Sequence, residues 1–198
     1  MIRIKKLVLA SASPRRKELL AQIGLAPKIV PSTIEEMITT AVPEEAVMEL
    51  SRQKAEDVAA RQPVGSCVIG ADTVVAAGGE ILGKPATHQE AYRMISMIEG
   101  KTHQVYTGVT LVYCGQKGFR VKTFVEKTNV HLYPMSEEEI KAYTDSTEPM
   151  DKAGAYGIQG KFAAFIKGID GDYNNVVGLP VGRMYQEMKE MFEQEDEE

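Results

Sequence analysis

The sequence predicts an α/β fold built on a mixed sheet, and three features predict it. Short β-like runs alternate with capped amphipathic segments through the first half of the chain. Two long β-like runs then follow one another directly, joined across CGQKG (114–118), which reads as a hairpin rather than a crossover. No internal repeat and no long linker divides the 198 residues, so the length favours one domain with one sizeable core. Strictly alternating units would give a parallel sheet; this order gives a mixed one.

The elements follow in order. KLVLA (6–10) is a short strand. Ser13 then Pro14 reads as an N-cap followed by proline at the first helical position. That helix places Leu19, Leu20 and Ile23 on one face and stops at Gly24. After a strand at KIVPS (28–32) and a polar loop with IEE (34–36), a longer helix runs from Pro43 to about Arg61. Glu44 and Glu45 lie in its first turn, where the helix dipole favours them.

SCVIGADTVVAA (66–77) is the most strand-like stretch, and GG then EIL gives a hairpin return. Thr87 and Glu90 make a capping box for a helix through Ile98 that ends at Gly100. Strands follow at 103–113 and 119–133, then a second capping box at Ser136 and Glu139. DKAGAYGIQG (151–160) is too glycine-rich for a helix; FAAFIKGI (162–169) reads as a strand, and a last helix follows Pro180. Residues 1–192 form the expected domain and 193–198, EQEDEE, a solvated acidic tail.

Composition removes several classes of function. Hydrophobic residues at 43% and charged residues at 26% are those of an ordinary globular protein, not a disordered one. The net charge of −5 comes from the tail, which holds five of the 28 acids; the rest of the chain balances its 23 bases. With no basic stripe and a pI near 5.4, no stable nucleic-acid partner is expected. No apolar run reaches the roughly 18 residues of a membrane span, and MIRIKKLVLA lacks the pattern of a signal peptide, so no membrane partner and a cytoplasmic location are expected. Cys67 and Cys114, in apolar surroundings without metal-ligand spacing, read as buried reduced thiols.

A few residues fit a purely structural role poorly. Asp72 lies inside an apolar strand, where a carboxylate is costly unless paired, hydrogen-bonded or bound to metal. It is either a structural aspartate at a turn or an acid that binds a divalent cation or activates water. Lys54 falls on the stripe of Val47, Leu50 and Val58; it either snorkels to water or meets an anion. Lys84, in LGKPAT, and Glu36, beside Glu35, are weaker signals. Arg15 and Arg16, in a helix's first turn, oppose its dipole. That placement makes sense if a phosphate sits there, taking backbone N–H groups, serine hydroxyls and a guanidinium together.

In this order LASASPRRKELL, IEE, RQKA, GADTVV, LGKP and DKAGAYGIQG resemble the Maf family of nucleoside triphosphate pyrophosphatases, from Leu7 to about Leu179. The resemblance implies an elongated α/β domain related in fold to inosine triphosphatases, with two lobes around a cleft, and commonly a homodimer. It implies hydrolysis of a nucleoside triphosphate to the monophosphate and diphosphate with Mg²⁺ or Mn²⁺, which limits incorporation of non-standard nucleotides. A link to septum formation, reported for the family, leaves one alternative: a nucleotide-binding regulator of cell division that acts through a protein partner.

Carried over residue by residue, the resemblance puts the family's catalytic acidic position, a proton acceptor, on Asp72 and its loop glutamate on Glu36; Asp72 is then the base, a metal ligand beside Glu36, or both. Ser11, Ser13, Arg15, Arg16, Lys54 and Lys84 become substrate-binding residues. One branch of the family, acting on dTTP and UTP, carries Thr after the catalytic Asp and Gln in the YGIQG stretch; a second, acting on 7-methyl-GTP, tends to differ at both points. Thr73 and Gln159, with Arg15, thus mark the dTTP/UTP branch, with modified pyrimidine nucleotides as further substrates. A glutamine amide both donates and accepts, which suits the O4 and N3–H edge of thymine or uracil.

Overall fold

A computed structural model describes residues 6–193. In chain order the elements are β1 (Lys6–Leu9), α1 (Pro14–Gln22), β2 (Lys28–Ile29), α2 (Pro43–Ala59), β3 (Ser66–Ala77), β4 (Glu80–Leu82) and α3 (His88–Ile98). Then come β5 (Thr102–Gly115), β6 (Gly118–Leu132), α4 (Glu137–Thr144), three short 3-10 turns, β7 (Ile166–Asp170), α5 (Tyr173–Val177) and α6 (Val181–Glu193). The strand order is β2-β1-β3-β5-β6-β7, with β4 on β3. β1 is parallel to β2 and β3, whereas β4 is antiparallel to β3 and β7 to β6, so the predicted mixed sheet is present.

The described residues form two compact units, 6–72 with 107–126 and 178–193, and 73–106 with 127–177. In the first, β1 pairs with β3 in register from Lys6–Ser66 to Leu9–Ile69. Val8, Val68, Val112 and Cys114 pack beneath Ala55, Val58 and Ala59 of α2. Two glycines set how closely α2 lies on the sheet. A Cβ at Gly70 would stand 2.7 Å from the Ala55 Cβ, and one at Gly108 would be 2.8 Å from the Met48 nitrogen. Both are closer than real Cβ contacts, so helix and strand backbones meet only because no side chain intervenes. Cys67 and Cys114 are buried free thiols, as expected; burial, with Cys114 nearby, pushes the Cys67 thiol up to about 12.

The second unit packs Leu82, Ile95, Leu132 and Phe162 into its own core. There His103 is fully buried, its Nε2 lies 2.7 Å from the Tyr156 hydroxyl, and burial lowers its pKa to about 4. The imidazole is therefore neutral at physiological pH.

Several predicted boundaries move, each for a local reason. The capping box at Ser136 and Glu139 is complete. At Thr87 only half of one forms: its hydroxyl accepts from the Glu90 N–H at 3.1 Å, while the Glu90 carboxylate accepts from Ala86 at 2.7 Å, one residue early. The run FAAFIKGI is a strand only from Ile166 onward, because 161–165 forms a 3-10 turn. Phe162 is buried there against the rings of Tyr143, Tyr156 and Phe165, so the apolar composition reflects core packing and not strand pairing. The short helix α5 was not expected; the Asp172 carboxylate accepts from the Asn174 N–H at 2.7 Å near its start. Glu193, assigned to the acidic tail, is the last residue of α6, and 194–198 lie outside the described residues.

Two outcomes follow for stability. Gly108→Ala drives a methyl into the α2 backbone and costs more than about 2 kcal/mol, read from the urea midpoint at constant m-value. His103 binds a proton in the unfolded chain below its ordinary pKa but not in the fold until about 4. Unfolding therefore takes up protons in that window, and stability falls as pH drops from 6.5 towards 4. Between pH 7.5 and 5.0 the wild type should lose about 2 kcal/mol more than His103→Gln; equal losses in paired denaturation curves would refute this.

Candidate functional site

The first unit gathers seven of the predicted site residues. Ser13 caps α1 as expected, its hydroxyl accepting from the Arg16 N–H at 3.4 Å, with Pro14 opening the helix. The Ser11 hydroxyl accepts from the Ser13 N–H at 3.2 Å and from Arg16 Nη1 at 3.1 Å. A hydroxyl that accepts still has its own O–H to donate, so both serines can face an anion. Arg16 also donates through Nε to the Gly178 carbonyl at 2.8 Å, a partner that nothing in the sequence pattern disclosed. Burial lowers the Arg16 pKa, with Asp72 and Glu36 opposing that and Arg15 adding to it. Arg15 is half-buried on the same first turn.

Lys54 settles its two readings by geometry. Val47, Leu50 and Val58 are buried as the stripe requires, and the Lys54 side chain is 14% exposed. Its Nζ lies 2.5 Å from Asp72 Oδ1 and 3.1 Å from Glu36 Oε1. Asp72 stands within β3, its side chain 15% exposed. It shares a strand face with Gly70, two residues earlier. Because Ala55 packs on Gly70, the neighbouring Lys54 comes down beside Asp72.

Glu36 belongs to a stretch, 30–40, with no helix or strand, yet the stretch is held along α2. Asp57 accepts from Ser32 Oγ at 2.8 Å and the Thr33 N–H at 3.2 Å. Gln53 accepts from the Met37 N–H at 3.0 Å and donates to the Met37 carbonyl at 2.6 Å. Glu49 takes the Thr39 N–H at 3.0 Å and its hydroxyl at 2.5 Å, and Glu45 the Thr40 hydroxyl at 2.6 Å. The Thr39 hydroxyl holds the Glu49 carboxyl below its ordinary pKa, and the Ser32 hydroxyl does the same for Asp57. These four α2 residues are spaced by four, a signal present in the sequence but hidden behind the apolar stripe.

The second unit holds Thr73, Lys84 and Gln159. Lys84 is exposed, and the Gly83 carbonyl before it accepts from the Gly154 N–H at 3.0 Å, which ties LGKP to AGAYGIQG. Ala155 adopts φ 62°, a left-handed conformation costly for a residue with a Cβ. Ala155, Tyr156 and Ile158 are buried, and Gln159 is exposed at the end of this anchored run. Thr73 is half-buried on β3.

The donor set in the first unit fits a hard divalent cation. Two carboxylates from different elements converge on one positive charge, and Mg²⁺ ordinarily takes one or two protein carboxylates beside water and phosphate. Among the described residues no group of three or more His, Cys, Asp or Glu could hold a metal. Any cation there would need oxygen ligands from elsewhere, as a polyphosphate provides. Among the same residues no helix is long and apolar enough to cross a membrane.

Known proteins resemble this chain over nearly its whole length. A dTTP/UTP pyrophosphatase of Agathobacter rectalis is 54% identical, the match covering 95% of this chain and 98% of that protein. One of Carboxydothermus hydrogenoformans is also 54% identical, over 93% and 98%. One of Halalkalibacterium halodurans is 49% identical, over 94% and 96%. The solved structure of the Staphylococcus aureus Ham1 protein matches 65% of this chain and 72% of its own, at 14% identity and a TM-score of 0.46. Residues 6–191 match the model of the Maf-like proteins, and the chain belongs to that family.

Proposed function

We propose that this chain hydrolyses dTTP and UTP, and modified pyrimidine nucleotides of like shape, to the nucleoside monophosphate and diphosphate. The observation that carries this reading is the name dTTP/UTP pyrophosphatase on near-full-length relatives at 49% and 54% identity. The charge arrangement of the first unit supports it, since acids and bases there are set out for a polyphosphate rather than for a neutral ligand. The reaction limits incorporation of non-standard nucleotides, and the enzyme works in the cytoplasm as a homodimer.

In this reading Ser11, Ser13, Arg15 and Arg16, with the N–H groups opening α1, bind the phosphates. Lys54 and Lys84 neutralise charge that builds on the diphosphate. Asp72 accepts the proton of a water whose oxygen bonds to the α-phosphorus, while the bond from that phosphorus to the bridging oxygen breaks and diphosphate leaves with the electron pair. Asp72 and Glu36 also offer oxygen ligands to Mg²⁺ or Mn²⁺, which when bound supplies further charge neutralisation on the phosphates. Positioning and electrostatics make up most of the catalysis in phosphoryl transfer of this kind. Arg15, Thr73 and Gln159 set the preference for the base.

Diphosphate release from dTTP and UTP, with Mg²⁺ or Mn²⁺ and with chelator, tests the proposal. Asp72→Asn keeps the side-chain size and should lower turnover about a thousandfold; a variant within a few-fold of wild type, or tight nucleotide binding without turnover in the wild type, would sink it. Gln159→Glu loses the amide donor. Being at an exposed position it should leave the melting temperature unchanged while shifting the ratios among dTTP, UTP and GTP by about tenfold. Unchanged ratios would remove Gln159 from base reading.

A further inference from the structure

The stretch that carries Glu36 has little to hold it by burial. Ile34, Met37 and Ile38 are 45%, 65% and 53% exposed, so the apolar side chains that might have packed it down face solvent. A segment with so few buried contacts belongs to the low-stability end of a fold. Glu36 nevertheless reaches Lys54 at 3.1 Å. What fixes it is polar: Asp57, Gln53, Glu49 and Glu45, each four residues from the next on α2, take the backbone and hydroxyl groups of 32–40 in reverse order.

The central rung is the informative one. Gln53 directly precedes Lys54, and Met37 directly follows Glu36, so the paired Gln53–Met37 bonds and the Lys54–Glu36 ion pair are adjacent in both segments. The Gln53 amide uses both its acceptor and its donor on one backbone unit, which fixes the peptide's orientation as well as its place. Outer groups that orient a ligating carboxylate are worth as much to a site as many direct contacts.

We infer that Gln53, with Asp57 and Glu49 on either side, is a positioning residue that sets the Glu36 carboxylate for the divalent cation. The inference rests on the reading of Glu36 as a metal ligand. Gln53 itself touches neither substrate nor cation; it acts through the loop. Gln53→Met removes both bonds to Met37 while keeping length and helix propensity, so α2 is not weakened on its own account.

Two measurements test this. Hydrogen exchange should speed up for the amides of 34–39 in Gln53→Met while α2 stays protected, with the nucleotide-free protein as the sample. In dTTP hydrolysis the half-saturating Mn²⁺ concentration should rise about tenfold, with kcat at saturating Mn²⁺ within about twofold. Glu36→Gln should raise it by at least as much, and adding Gln53→Met to Glu36→Gln should raise it no further, since two changes acting through one group do not add. Unchanged exchange, or a full additional rise in the double variant, overturns the inference. A wild type that releases no diphosphate from dTTP fails the functional reading instead, and the exchange data still decide whether Gln53 holds the loop.

Discussion

The ion pair between Lys54 and Asp72 is the interaction on which the site depends. Both side chains are largely withdrawn from water, where removing either partner would leave the other charge uncompensated at several kcal/mol. The pair can exist only because α2 lies unusually close to the sheet. Gly70 admits Ala55, and that contact fixes the height and rotation of the helix at Lys54. Gly108 does the same nearer the helix start, against Val47 and Met48. The placement of the carboxylate's partner is thus set by the absence of two side chains, at Gly70 and Gly108.

Charge balance explains why so many ionisable groups can sit together. Asp72 and Glu36 would repel one another if both were ionised side by side, and the Lys54 ammonium between them removes that penalty. Arg15 and Arg16 have the opposite difficulty at the positive end of α1, and the two carboxylates act on Arg16 in the compensating direction. Such a cluster places cationic and anionic side chains side by side. It can meet a polyanion with arginine and serine donors and a cation with carboxylates, which is the combination a metal–triphosphate complex requires.

Much of this was legible in the sequence, and the reasons divide cleanly. Capping residues, the Pro14 start, the β3 run and the stripe of α2 are local signals, and the corresponding elements lie where those signals put them. Asp72 and Lys54 stood out because each violates the pattern of its own element, and the fold resolves both violations with one bond. What could not be read were events decided by distant partners: the Gly178 carbonyl that takes Arg16, and the burial of Phe162 that turned an apparent strand into a 3-10 turn. The spacing of Glu45, Glu49, Gln53 and Asp57 was visible but ambiguous, since polar residues four apart ordinarily mark a solvated helix face.

That ambiguity carries a general point about α2. An amphipathic helix is usually divided into a face that packs and a face that faces water, but this one has three working surfaces. Ala46, Val47, Leu50, Ala55 and Val58 bury against the sheet. Lys54, on the edge of that stripe, delivers charge to Asp72. Glu49, Gln53 and Asp57 take backbone N–H groups, and Glu45 the Thr40 hydroxyl, of a segment that forms no ladder or helix of its own. These backbone groups are exposed, so the bonds order the segment rather than rescue buried polar atoms, and the helix side chains stand in for a neighbouring strand. A loop ordered in this way keeps its exposed Met37 and Ile38 without needing to bury them. One helix therefore supplies Lys54 directly and brings Glu36 to it from a segment that could not hold that position alone.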